Sequence, residues 1–256
     1  MAFDEVEERY RAPALDKGLD ILELLAETEE GLSQAEIAKA LSRSPNEIYR
    51  MLDRLVRRGY IARTSTDRYE LTLKLFALAH RHAPMRRLVS QAMPILRDFA
   101  RAAGQSCHLA VYDRGEVIVV AQVDSPNYWG IAIRVGARIG LFDTGSGHIL
   151  LAYATAADRK LMAEEHELMP LETGPADLPA LLADIVKRGF EQMESRQTPS
   201  VINLAVPILG PHGSIVAALT CPYVQRLDIA APDQSAVLKH LIASGTAISR
   251  NAGGAD

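Results

Sequence analysis

The sequence predicts an α+β protein of two domains: a small helical N-terminal domain closed by a β-hairpin, and a larger domain mixing an antiparallel sheet with helices. Three observations carry this. The chain has 256 residues, long for one domain and comfortable for two at about 100–200 residues each. Apolar residues at helical spacing fill the first part of the chain and then give way to alternating stretches. Beyond Gly104, strand-like runs gather before and after a helical middle rather than alternating regularly with helices, which argues against a Rossmann domain.

Composition is that of a soluble globular protein, with 48% hydrophobic and 23% charged residues and a formal net charge of −4. Two cysteines, Cys107 and Cys221, fit a reduced, cytoplasmic setting. The N-terminus is acidic and lacks the basic start of a signal peptide, and no apolar run approaches the ~20 residues of a membrane helix.

Leu15, Leu19, Ile21, Leu22 and Leu25 define a first amphipathic helix ending near Gly31. Ser33 with Glu36 three residues on is a capping box, and Ile37, Ala38 and Leu41 give the short helix that follows its apolar face. Ser44 and Glu47 repeat the box at once, with Pro45 at the first helical position, where its missing N–H costs nothing. Ile48, Met51, Leu52, Leu55 and Val56 form the buried stripe of this helix and Gly59 ends it. Two short helices joined by a tight turn are a helix-turn-helix. Tyr60–Arg63 and Arg68–Leu71 alternate about the turn-rich Thr64–Asp67, which reads as a hairpin wing.

The outer face of the second capped helix carries Asn46, Arg50, Asp53, Arg54 and Arg57. From Lys39 to Arg68, eight basic residues face three acidic ones, a local excess of five positive charges in an acidic protein. A basic helix alone is usually a solvated face, and a small bundle with a hairpin can be a protein-interaction module. The ordered set of capped helices and basic hairpin favours double-stranded DNA. Asn46 and Arg50 suit base edges, since Asn pairs with adenine and Arg with guanine. Ser44 and Tyr49 suit phosphate, Arg54 lies on the same face, and Arg63 and Arg68 can reach phosphate or the minor groove. Glu47 has two readings, helix cap or acceptor from cytosine, with the cap preferred.

Leu71–Ala79 is an apolar helical stretch leading to His80-Arg81-His82-Ala83-Pro84, where a break is expected. This places the DNA-binding domain at 1–72, a linker helix at 73–85 and the second domain at 86–256. In the latter, a helix over Arg86–Ala103 precedes strands at Ser106–Asp113, Glu116–Asp124 and Ile131–Val135. Helices follow at about Thr144–Ala156, Ala157–Glu167 and Leu178–Arg188. Strands at Gly189–Ser195, Val201–Leu209 and Ser214–Tyr223 and a helix over Pro232–Arg250 close the chain. Gly145 and Ser146, at the start of a helix, offer backbone N–H groups to an anion such as a small carboxylate, or simply make a tight turn.

Nothing names a reaction. Thr144–His148 lacks the first glycine of G-x-S-x-G, and His148 is too near in sequence to serve as the usual distant base. Cys107-His108 is an isolated pair on a strand, and the histidines show no metal spacing. No phosphate-binding loop or dinucleotide motif occurs, so neither an enzyme nor a cofactor is expected.

In order, Leu19–Leu25, Leu32–Ala38, Arg50–Leu52, Arg57–Tyr60, Tyr69–Thr72, Gly136–Leu151, Gly189–Glu191 and Ala205–Gly213 resemble the IclR family of bacterial transcriptional regulators, from about Ala14 to Arg250. The resemblance implies a GAF-like effector-binding domain, homodimers through the DNA-binding domain that often pair as homotetramers, palindromic operators, and repression or activation of catabolic genes. Carried over by position, effector contacts fall on Gly145, Ser146, Asn203, Thr220 and Pro222. Glu47 stands where a typical member has Thr, Asn203 replaces a common cysteine, Pro222 replaces a polar residue, and an acidic pocket position falls on Met193. These departures suggest a less polar pocket and a small organic, even aromatic, acid. Trp129, with Tyr128 and Phe142, can line it and Arg134 can pair with a carboxylate; core packing or an interface is the equal alternative. Two other functions stay open: a regulator whose second domain only oligomerises, and a metabolic enzyme.

Overall fold

A computed structural model of the chain describes residues 12–79 and 83–254. The chain divides into two compact units after Arg86.

In the first unit, α1 (Pro13–Ala26), α2 (Gln34–Ala40) and α3 (Pro45–Arg57) surround a core of Ile21, Leu25, Ile37, Ile48 and Leu52, closed by Ile61 and Tyr69 of the hairpin. Each contributes a few kcal/mol by leaving water, about 1.5–3 for a side chain of this size. Both capping boxes form: Glu36 accepts from the Ser33 N–H at 2.8 Å, and Glu47 accepts from the Ser44 N–H at 3.1 Å and hydroxyl at 2.8 Å. The wing is β2 (Ile61–Arg63) and β3 (Arg68–Leu71), turning at Asp67 with φ +65°. A two-residue β1 (Leu32–Ser33) pairs with β3, giving the order β1-β3-β2. Two residues are too few for alternation to reveal β1 in the sequence. The apolar stretch after the wing forms α4 (Lys74–Ala79). The expected His80-Arg81-His82 segment lies outside the described residues. Pro84, expected to mark a break, falls in the first turn of α5 (Ala83–Ala103), a position that tolerates its missing N–H.

The second unit is built on an antiparallel sheet of order β6-β5-β4-β9-β8-β7. Its strands are β4 (Cys107–Asp113), β5 (Glu116–Val123), β6 (Arg138–Ile139), β7 (Glu191–Glu194), β8 (Ile202–Leu209) and β9 (Ile215–Tyr223). The strand expected at Ile131–Val135 does not form. The ladder to β5 is made instead by Arg138 and Ile139, after a turn at Gly136 with φ +87°. The alternating apolar residues Ile131 and Ile133 find their burial against a cavity rather than in a ladder. Helix α6 (Gly145–Tyr153) packs on the face carrying Ala205 and Ala218, with α8 (Leu178–Arg188) against α6, while α9 (Gln234–Asn251) brings Gly245 against Val206 of the other face. Helix α7 (Ala156–Glu165) lies between α6 and α8 in the chain. Helix α6 is buried from Gly145 to Ala152, and a Cβ on Gly147 would overlap the Leu141 carbonyl. Only glycine lets α6 sit so close to the loop that precedes it. Cys107 and Cys221, on neighbouring strands, are both free and buried, and burial pushes the Cys107 thiol up to about 12.

Candidate functional site

On α3, the buried stripe fixes what remains outside. Asn46, Tyr49, Arg50 and Arg54 are exposed, and Arg50 and Arg54 make no side-chain hydrogen bond or ion pair among the described residues. The acidic residues of this region are all engaged: Asp53 with Arg57 at 3.0 Å, Asp67 with Arg63, and Glu47 with Lys17 at 2.7 Å. The Lys17 hydrogen bond, then the Ser44 bonds, hold Glu47 down at about 2. Glu47 and Ser44 are therefore bound to each other as a cap. The wing arginines differ. Arg63 is exposed over the Tyr69 ring at 5.8 Å. Arg68 is half-buried, donates to the Gly31 carbonyl at 3.0 Å and pairs with Glu36 at 3.1 Å, so it ties the wing to α2.

The second unit contains a cavity of about 370 Å³, within the range of small-molecule sites. Gly145, Ser146, Asn203, Thr220 and Pro222, drawn from distant parts of the sequence, all line it. Thr144 caps α6 by accepting from the Gly147 N–H at 3.0 Å. The N–H groups of Gly145 and Ser146 are left with no acceptor among the described residues, and the Asn203 amide likewise has none. Beside them Ser146 Oγ meets Thr220 Oγ1 at 2.8 Å and His108 Nε2 at 3.3 Å. An anion placed here meets donors and the positive end of a helix.

Trp129 and Arg134 are not among the lining residues. The loop before residue 131 is drawn away by Ser125 and Asn127, both bonded to the Gly104 carbonyl at 3.0 Å. Trp129 is 48% exposed beneath the Arg226 guanidinium, Tyr128 bonds Asp228, and Arg134 faces solvent. Phe142 packs edge-on to His166, and Met193 lies outside the lining. In their place the wall includes Ile131, Ile133, Met169 and Val201, with polar residues the sequence reading passed over: His108, Arg138, Asp143 and Gln197. His108 and Asp143 are buried, and His108 Nδ1 and Asp143 Oδ1 have no partner among the described residues. Burial pushes His108 down to about 4, leaving it neutral, and raises Asp143, helped by the nearby Glu172 charge. One signal points to His108: it is the only polar residue between Cys107 and Val111, the apolar part of β4.

A winged helix-turn-helix followed by an α+β domain of this kind defines a DNA-binding transcriptional regulator with an effector-binding domain. Residues 14–65 match the IclR helix-turn-helix domain, and residues 78–250 match the bacterial transcriptional regulator IclR C-terminal domain. The chain belongs to the IclR family. It is 32% identical to the HTH-type transcriptional regulator BhcR of Paracoccus denitrificans, over 81% of this chain and 76% of that one. Among solved structures it resembles Thermotoga maritima IclR, with a TM-score of 0.75 and 24% identity over 95% of this chain and all of that one. It also resembles an IclR homologue from Microbacterium hydrocarbonoxydans solved with 4-hydroxybenzoate, with a TM-score of 0.76 and 22% identity over 93% and 98% of the two chains.

Proposed function

We propose that this chain regulates a catabolic operon from the cytoplasm, binding palindromic double-stranded operator DNA as a homodimer or homotetramer under the control of a small organic acid. In this reading residues 1–72 bind DNA, 73–85 link, and 86–256 take the effector. The observation that carries it is the outer face of α3, where Asn46, Arg50 and Arg54 stand exposed with every neighbouring carboxylate already neutralised. Asn46 and Arg50 read base edges; Arg54, Tyr49 and Arg63 contact phosphate. Ser44, Glu47 and Arg68 act through their caps and ties, holding α3 and the wing in position.

The acid lies in the cavity with its carboxylate on the Gly145 and Ser146 N–H groups, beside Asn203 and Thr220 and over Pro222. The apolar residues of the wall leave room for an aromatic or branched body. These open donors favour an effector site over a domain that only oligomerises. Catalysis is not part of the reading. His108 touches Ser146, but its other ring nitrogen has no carboxylate to orient it, so the third member of a nucleophilic triad is missing among the described residues.

The test is an electrophoretic mobility shift on the upstream intergenic DNA of the chain's own gene, at moderate salt with excess non-specific competitor. A panel of aromatic and small aliphatic acids is added in turn. The expected result is a discrete shift altered by one class of acid. No shift at any protein concentration sinks the DNA reading; a shift indifferent to every acid, with no thermal stabilisation by any of them, sinks the effector reading.

A further inference from the structure

The loop that leads into α6 is held at a single residue gripped from both sides. The Phe142 N–H donates to Glu172 Oε1 at 2.8 Å, and the Phe142 carbonyl lies 2.9 Å from His148 Nε2. Each partner is half of a buried histidine–glutamate pair. His148 Nδ1 is 2.9 Å from Glu191 Oε2, and His166 Nε2 is 2.9 Å from Glu172 Oε2, with every one of these side chains at most 2% exposed. His166 Nδ1 faces the Gly115 carbonyl at 2.6 Å. All four ring nitrogens thus look onto carbonyl or carboxylate oxygens. A neutral imidazole has one N–H and one lone pair, so in this setting its lone pair would face an oxygen. Against an ionised glutamate, only the doubly protonated ring satisfies both sides.

Charge balance points the same way. Around Phe142 stand three buried carboxylates, Glu172, Glu191 and Asp143. The cations facing them are His148 and His166, with Arg188 at the margin, 3.6 Å from Glu191 but itself paired with Asp184 at 2.9 Å, and Arg196 on the Thr173 carbonyl. Behind His166 the Gly115 N–H is held by Tyr112, whose hydroxyl donates to Glu165. With both histidines charged, each buried glutamate has an imidazolium of its own. With both neutral, only Arg188, shared with Asp184, and Arg196 offset three carboxylates in a buried space, where an unpaired charge is costly.

The geometry points to a proton-dependent clamp: His148 and His166, as imidazolium ions, are positioning residues that hold Phe142 and so set the anion-binding turn of α6. Raising the pH strips the clamp, the carboxylates repel, and the segment 142–146 loosens. Acid affinity then falls on the alkaline side. That last consequence rests on the effector reading; the clamp itself does not.

The test uses the full-length protein with 15N-labelled histidine, its ring signals assigned with H148Q and H166Q. At about pH 6 both rings are expected to show two protonated nitrogens and to lose one proton as the pH rises toward about 9. Over the same range, amide exchange of segment 142–146, corrected for its intrinsic rate, is expected to quicken about tenfold. The substitution His148→Lys supplies a cation that does not titrate there and is expected to hold protection at high pH. His240→Gln, on the exposed face of α9, should change nothing. Rings singly protonated throughout, exchange that ignores pH, or a His148→Lys variant that loosens like the wild type would each overturn the clamp. None of these readings requires an acid to bind, so failure of the effector reading registers separately, as an absent thermal shift with 4-hydroxybenzoate and the other acids.

Discussion

Helices α3 and α6 both begin at a capped N-terminus, and they are put to opposite uses. The start of α3 is closed by its own glutamate, which takes the Ser44 N–H and hydroxyl and then pairs with Lys17. The cap residues are spent on one another, and the helix works through its side. The start of α6 is capped by a threonine whose hydroxyl accepts from the Gly147 N–H and donates to the Gly140 carbonyl. Two N–H groups stay open, the rest of the helix is buried, and it works through its end. Whether a helix presents a face or a terminus is decided by where its first carboxylate stands: inside the first turn of α3, and absent from that of α6.

The largest test of this contrast removes the support of one helix at a time. Leu52→Ala, beneath α3, should cost about 2–5 kcal/mol and abolish DNA binding. Thermal stabilisation of the second unit by an effector should survive, as read by a thermal shift. Next is acid. His108 is neutral when buried, with its pKa lowered from 6.5 to about 4, so the unfolded chain binds the extra proton first. Stability on this account is full above about pH 6.5 and falls on the order of 3 kcal/mol toward pH 4. His108→Gln should flatten that limb in a melting series, and an unchanged limb would assign it elsewhere. Smaller again is Arg50→Ala, expected to weaken specific operator binding by about 1–3 kcal/mol and relax one base position. A uniform loss on all DNA would make Arg50 a phosphate contact instead. The least is Glu47→Gln. Glu47 is held low, so its contribution is present above the ordinary carboxylate range and lost only as the pH falls through about 2. The variant should fray the start of α3 slightly at neutral pH, by circular dichroism, and lose that acid dependence.

The same contrast explains what could be read in advance. The first unit is written locally: caps three residues apart, an apolar stripe at helical spacing and a hairpin around a short turn each lie within a dozen residues. The cavity is not. Gly145 and Ser146 are legible as a glycine-rich helix start, but Asn203, Thr220 and Pro222 follow only from likeness to a family, and the structure gathers all five around one space. Trp129 and Arg134 suit a pocket by their chemistry alone, and the loop that carries Trp129 is anchored to Gly104 instead. His108 and Asp143 needed the sheet to be folded before their partners were known. The strand expected at Ile131–Val135 failed for a related reason, since apolar alternation marks a buried side without saying whether a neighbour or a void lies there. The pairing of His148 with Glu191 spans 43 positions and leaves no local trace.

Both thiols of the chain are sequestered in the sheet, on β4 and β9, with burial holding each in its protonated form. A maleimide therefore finds no native target while the second unit stays folded. A single cysteine placed at Ser65, exposed at the tip of the wing, would be the sole reactive position, so a fluorophore there can report operator engagement in real time on an otherwise unaltered protein.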